Sequence, residues 1–176
     1  QVCRRLNKPT ILVINKVETS VIEQRFFEED INFFGLPYII FVSSEHRLGI
    51  EKVFNALENI CQENKLKSIA KEESDSEKKP INIAIIGRPN VGKSTLVNAI
   101  IKEKRFITGP EAGLTRDSNF VFFDWDNDFF KIYDTAGARK KRKIENSLEK
   151  ESVKETLRAI KFAQIVILVL EPDELL

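Results

Sequence analysis

Several residue types are scarce in this sequence, and each scarcity excludes a class of protein. Two cysteines, Cys3 and Cys61, and a single histidine stand among 176 residues, with no Cys-x-x-Cys pair and no histidine cluster. We therefore expect two reduced thiols, neither a disulfide framework nor a thiol-based metal site. The longest uninterrupted apolar run, residues 165–170 (IVILVL), is too short for a membrane span and suits a buried strand. Methionine is missing even at position 1, which suggests a piece of a longer protein, cut at both ends.

Charge is almost balanced along the chain. Lys and Arg total 28, Asp and Glu total 27, and the formal net charge is +1. Such a balance produces no overall field that would indicate nucleic acid or a membrane surface as the partner. Hydrophobic residues make up 42% of the chain, enough for one core of ordinary size or for two incomplete ones.

The first part of the chain, residues 1–62, has the pattern of strand, helix, strand and helix. The apolar runs at 10–14 (TILVI) and 38–42 (YIIFV) predict buried parallel strands. Apolar residues at helical spacing predict helices over 19–34 and 49–62. This part therefore reads as half of an α/β sheet. Residues 63–80 are charged and almost free of large apolar groups, which predicts a linker.

A second unit begins at Ile81. Its pattern predicts a strand over 81–86, a glycine-containing loop and a helix, then strands over 119–125 and 129–133 joined as an antiparallel hairpin. A basic loop, a helix over 151–163 and a strand over 164–170 follow. Together the two units predict an α/β fold with a mostly parallel sheet flanked by helices.

The loop GRPNVGKST matches the phosphate-loop pattern G-x-x-x-x-G-K-[ST] and stands between a predicted strand and a predicted helix. Glycines let successive backbone N–H groups converge on phosphate oxygens, and the positive end of the helix adds to them. We expect Lys93 to reach the β- and γ-phosphates and the Ser94 hydroxyl to bind Mg²⁺. The residues expected around the phosphates are Gly87, Arg88, Pro89, Asn90, Val91, Gly92, Lys93, Ser94 and Thr95.

A second segment predicted to bind phosphate and metal begins at Asp134, about forty residues after Lys93 and at the end of a predicted strand. The carboxylate of Asp134 can hold Mg²⁺ through water, and Gly137 can give its N–H to the γ-phosphate. The segment expected at the nucleotide is Asp134, Thr135, Ala136, Gly137 and Ala138. Thr115 lies between the two segments and is predicted to close over the metal, so the metal set is Ser94, Thr115 and Asp134. An ordinary loop threonine stays an open alternative for Thr115.

The stretch NKVE (residues 15–18) follows the first predicted strand and is predicted to recognise a guanine base. Asn15 is predicted to bond the base, Lys16 to pack along it, and Glu18 to accept from the ring N–H and the amino group. Ser43 and Ser44 follow the next strand and are predicted to close the base pocket with backbone N–H groups. This base reader precedes the phosphate loop, the reverse of the order in Ras-type domains.

Four stretches together resemble the Der (EngA) family of translation-associated GTPases: GRPNVGKSTLVNAI, GLTRDS, DTAGARKKRKI and the helix ending in TLRAI. The resemblance implies a P-loop NTPase fold, present here as two incomplete G domains. Residues 1–62 would be the end of a first GTPase domain, 63–80 the linker, and 81–176 the start of a second. It also implies a cytoplasmic, monomeric parent protein that binds GTP and GDP and acts in assembly of the large ribosomal subunit.

The resemblance further implies how hydrolysis proceeds. Lys93, Asn90, Thr115 and Gly137 would serve the reaction, with Asn90 holding a K⁺ ion that supplies the positive charge of an arginine finger. Turnover is expected to be slow and stimulated by potassium. Glu18 stands where GTPases usually carry aspartate, and Leu114 where the family usually has threonine. Ala138 stands where Ras-like GTPases have a water-positioning glutamine, which this family also lacks.

Other interpretations stay open at this point. The order of base reader, phosphate loop and metal segment is that of circularly permuted GTPases, in which one chain completes one pocket. A non-catalytic nucleotide-binding or ribosome-docking module is a third possibility. The basic run 139–143 is either a contact for ribosomal RNA or a solvated loop. The two halves either pack on each other or leave the chain poorly folded. His46 receives no catalytic role.

Overall fold

A computed structural model describes residues 5–18, 35–66, 79–103, 120–126, 128–134 and 148–174. Within these ranges the chain forms six strands, three helices and a short 3-10 turn. The strands are β1 (Thr10–Ile14), β2 (Tyr38–Phe41), β3 (Ile81–Ile86), β4 (Phe120–Trp125), β5 (Asp128–Asp134) and β6 (Ile165–Leu170). The helices are α1 (Ile50–Glu63), α2 (Lys93–Glu103) and α3 (Leu148–Phe162), and the 3-10 turn is Pro172–Glu174.

All six strands belong to one sheet with the order β2-β1-β6-β3-β5-β4. The sheet is parallel except for β4, which runs antiparallel to β5. The two halves of the chain meet where β1 pairs with β6, with Thr10 beside Val166 and Ile14 beside Leu170. The two halves therefore pack on each other and share one sheet, which is the first of the two outcomes left open by the sequence.

Each described strand and α-helix lies where the sequence pattern predicts it, whereas the 3-10 turn at Pro172–Glu174 was not predicted. The α/β fold class is confirmed, and so is the antiparallel hairpin, in which Phe123 lies opposite Phe130. Helix α3 begins three residues earlier than predicted, at Leu148, and the other bounds agree within two residues. The helix predicted over 19–34 lies outside the described residues, as do Thr115, the basic run 139–143 and most of the linker.

The core forms on both faces of the sheet. On one face α1 and α2 pack against alternating residues of strands from both halves, such as Ile11 and Val13 of β1 and Ile83 and Ile85 of β3. On the other face α3 covers the centre through Ile160. All five residues of β1 are buried, which explains why this strand is apolar throughout instead of alternating.

Aromatic side chains join α1 to the hairpin. Phe54 of α1 stacks on Trp125 with ring centroids 4.2 Å apart, and its edge meets Phe123 at 6.3 Å. Phe123 in turn stacks on Phe130 at 5.0 Å. Trp125 is half-buried beside the turn. The hairpin therefore contributes to the core that both halves share.

No helix in the described part of the chain is long and apolar enough to cross a bilayer.

Candidate functional site

The candidate site lies at the edge of the sheet where the parallel strands end. Ile14 of β1 and Ile86 of β3 both lie beside the last residues of β6, at Leu170 and Leu168. The loops that follow β1 and β3 therefore emerge on either side of β6, at the carboxyl edge where open α/β sheets bind ligands. The base-reading segment and the phosphate loop, distant in sequence, become neighbours in this way.

The phosphate loop leaves β3 at Gly87, where the backbone passes close to β6. A Cβ atom at Gly87 would lie 2.3 Å from the carbonyl oxygen of Val169, at a φ of +153°. Asn90, at the exposed tip of the loop, has a φ of 69°, a conformation that asparagine tolerates better than most residues. The loop thus takes the tight path that backbone wrapping around a phosphate requires.

Gly92 ends the loop against the other half of the chain. Its φ is +88°, and a Cβ atom there would lie 2.2 Å from the side-chain nitrogen of Asn15. From the sequence, Gly92 is expected to make room for a phosphate. In the structure, the amide of Asn15 occupies the space that a side chain at position 92 would need.

Lys93 is the first residue of α2 and is buried, with 7% of its surface exposed. Its ammonium donates hydrogen bonds to the carbonyl oxygens of Gly87, at 2.8 Å, and of Arg88. The phosphate loop is therefore wrapped around a positive charge at the amino end of a helix. This is an arrangement suited to an anion such as phosphate.

Asn15 connects three loops through one buried side chain. It is 2% exposed, and its amide nitrogen donates to the carbonyl oxygen of Val91 at 2.8 Å. Its amide oxygen accepts from the backbone N–H of Ser44 at 3.0 Å. Sequence reasoning assigned Asn15 to the base alone and missed this connecting role. The signal was available, because a buried asparagine must find partners for its amide.

The remaining base-reading side chains lie at the rim. Lys16, with a φ of 65°, forms an ion pair with Glu171 just after β6, with 2.6 Å between Nζ and Oε1. Glu18 faces His46, with 3.6 Å between its Oε1 and the histidine Nε2. Neither Glu171 nor His46 was a predicted site residue. The carboxylate directly after a predicted strand was the available signal for Glu171.

Ser43 and Ser44 lie in the loop after β2, as predicted, and are almost fully buried. The Ser44 hydroxyl has no hydrogen-bond partner among the residues that the structure describes. A buried hydroxyl in the loop whose N–H binds Asn15 fits a site that receives a polar ligand.

The metal-binding segment is only partly described. Asp134 is the last residue of β5 and lies beside Ile85, one residue before the end of β3. The backbone of Asp134 is thereby placed next to the start of the phosphate loop. Thr115, Thr135, Ala136, Gly137 and Ala138 fall outside the described residues. Of the three predicted metal ligands, two therefore have their backbones at the same edge of the sheet: Ser94 in the first turn of α2 and Asp134 at the end of β5.

Comparisons with known proteins agree with this geometry. Residues 82–176 match the family described as 50S ribosome-binding GTPase. A protein named GTPase Der from Rhodopseudomonas palustris (strain HaA2) is 42% identical over 173 residues, covering 96% of this chain and 37% of the relative. GTPase Der from Bartonella tribocorum is 41% identical over 189 residues, covering 96% of this chain and 40% of the relative. This chain thus spans well under half the length of the curated relatives that it matches.

Proposed function

Because this chain belongs to the 50S ribosome-binding GTPase family, we propose that its two halves form one pocket for a guanine nucleotide, GTP or GDP. The observation that carries the proposal is the double hydrogen bond of Asn15, to Val91 of the phosphate loop and from Ser44 of the base-closing loop. Base-reading and phosphate-binding segments are tied together by a buried side chain, as a single nucleotide would require.

The proposed activity is hydrolysis of GTP to GDP and phosphate. Lys93 supplies a positive charge to the phosphates, and the N–H groups at the start of α2 bind the same oxygens. Ser94, Asp134 and Thr115 would hold Mg²⁺, which when bound neutralises charge on the phosphate oxygens. Asn90, exposed at the tip of the loop, would hold K⁺.

We propose the same activity for a longer parent protein with two GTPase domains. In that protein residues 1–62 would close a first domain, 63–80 would be the linker and 81–176 would open a second. We propose that the parent is a cytoplasmic monomer acting in assembly of the large ribosomal subunit, with residues 139–143 near ribosomal RNA. The strand pairing of β1 with β6 supports, for the chain as it stands, the composite pocket of a permuted GTPase.

Binding of a fluorescent GTP analogue to the 176-residue chain tests the pocket, with GTP and ATP as competitors in Mg²⁺ and either K⁺ or Na⁺. We expect GTP to displace the analogue and ATP to fail. Binding without base preference would indicate a phosphate loop acting alone. Absence of binding by a folded chain would overturn the composite pocket.

Phosphate release tests catalysis separately. We expect turnover in the unaltered chain to exceed that of Lys93→Ala, and to be faster in K⁺ than in Na⁺. Turnover equal to that of Lys93→Ala would favour the non-catalytic module instead.

A further inference from the structure

We propose that His46 is a positioning residue for Glu18 and thereby a determinant of guanine selectivity. The inference rests on the proposed function and extends it to a residue of the base-closing loop. Two loops from successive strands carry the two side chains, and the distance between Nε2 of His46 and Oε1 of Glu18 is 3.6 Å.

The turn that carries His46 is held in place at its base. Ser43 and Leu48 exchange two backbone hydrogen bonds, both of 3.0 Å, which close a four-residue turn over 44–47. The N–H of Ser44, the first residue of that turn, donates to the side chain of Asn15 at 3.0 Å. The turn is therefore attached to the same loop from which Glu18 projects.

The backbone beside Glu18 is fixed as well. Val17 is buried and its N–H donates to the carbonyl oxygen of Val42 at 3.0 Å. Beyond this fixed backbone the Glu18 side chain is 60% exposed, and the His46 side chain is 55% exposed. The backbone next to Glu18 is therefore held in place, while its carboxylate lies in an exposed position.

A glutamate needs such support more than an aspartate does. Its extra methylene adds a rotatable bond, so its carboxylate loses more freedom when it binds guanine. An interaction of one carboxylate oxygen with His46 restricts that freedom, and each oxygen keeps a lone pair for the ring N–H or the amino group. His46 in this way compensates for the longer side chain.

The neighbouring charged groups are Lys16, which pairs with Glu171, and Glu45 and Arg47 on the turn itself. Lys16 is engaged with its own carboxylate, so we assign the support of Glu18 to His46.

The test compares GDP with inosine diphosphate, which lacks the amino group that Glu18 would recognise. Both displace a fluorescent GDP analogue from the full chain, and the ratio of the two dissociation constants measures selectivity. The variants are His46→Ala and His46→Lys, with Arg47→Ala as the control on the same turn. His46→Lys tests for rescue, because an amine at this position can pair with the same carboxylate.

We expect His46→Ala to lower the GDP preference about threefold, in the range of an exposed ion pair. His46→Lys should keep the preference of the unaltered chain, and Arg47→Ala should follow the unaltered chain. An unchanged preference in His46→Ala, or an equal loss in His46→Lys, would overturn the proposal while the pocket itself stands. If no guanine nucleotide binds the unaltered chain, the proposed function fails and the inference fails with it.

Discussion

A single side chain, Asn15, organises the candidate pocket at the scale of one residue. Its amide bonds Val91 and Ser44, so two backbone groups of neighbouring loops depend on it. Groups of this kind are costly to leave without a partner once they are buried. We therefore expect the stability of the site and its proposed affinity for nucleotide to be coupled through this side chain.

Replacing Asn15 with alanine should both destabilise the fold and weaken nucleotide binding. We expect the free energy of unfolding to fall by about 2 kcal/mol, the usual cost of leaving buried polar groups unsatisfied. Urea denaturation followed by circular dichroism measures this change. Asn55→Ala, an exposed asparagine on α1, is the matched control and should have little effect. Equal stability of the two variants would contradict the role of Asn15.

Gly92 lies directly against the Asn15 side chain of the other half. In Gly92→Ala the new Cβ would lie 2.2 Å from the Asn15 side chain at a φ of +88°. We expect a loss of about 1 to 3 kcal/mol of stability from backbone strain, and a larger loss of nucleotide affinity because the Asn15 contacts shift.

Gly35→Ala separates backbone strain from the contact with Asn15. Gly35 also has a positive φ, 52°, but is exposed and precedes the opposite end of β2. Its substitution should reduce stability and leave nucleotide binding intact. Binding measured for both variants decides whether contact with Asn15 matters beyond the backbone conformation.

At the scale of secondary-structure elements, α1 and the hairpin of β4 and β5 form a junction between the halves. A cavity of about 160 Å³ lies there, between the end of α1 and the hairpin turn, and the buried thiol of Cys61 lines it with Asp128 and Trp125. Burial, with a smaller contribution from the Asp128 carboxylate, raises the pKa of Cys61 from 9.0 to about 11. The folded protein thus favours the neutral thiol.

This pKa makes stability depend on pH in the alkaline range. Below about pH 9 the thiol is protonated in both states, and its contribution to stability is fully present. As pH rises toward 11 the unfolded chain releases the proton first, so the contribution is lost at up to about 1.4 kcal/mol per pH unit. Urea midpoints from pH 8 to pH 11 measure this slope, and Cys61→Ala should have a shallower one. Parallel slopes would show that Cys61 does not titrate differently on folding.

At the scale of the whole molecule, residues from both halves share one sheet and one core. Strand β1 is paired on one side with β2 of its own half and on the other with β6 of the second half. Each half alone would expose apolar faces and an open sheet edge. Neither half is therefore expected to keep its structure when the other unfolds.

The whole chain should accordingly unfold in a single transition. Trp125 is the sole tryptophan and stacks on Phe54 of the other half, so its fluorescence reports on contact between the halves. We expect urea transitions followed by tryptophan fluorescence and by far-UV circular dichroism to coincide. Loss of the fluorescence signal at lower urea would instead show that the halves separate before they unfold.

The elements and the phosphate loop follow from local sequence. Apolar runs such as 10–14 and 165–170 predicted strands, helical spacing predicted α1 and α3, and the glycine and lysine spacing predicted the loop of Gly87 to Thr95. These features depend on residues within a few positions of one another, so a short stretch of sequence is enough to predict them. The same reasoning identified NKVE as a base reader, an assignment that stays a prediction.

Tertiary structure decided which strands pair and which side chains meet. No local pattern indicates that β1 lies beside β6, because strand pairing depends on how well distant apolar faces and sheet edges fit together. From that pairing follow the contacts of Asn15 with Val91, of Lys16 with Glu171, and the close approach of Asn15 to Gly92. The sequence by itself determined the parts of the site, and only the packing of the two halves brought those parts to one edge of the sheet.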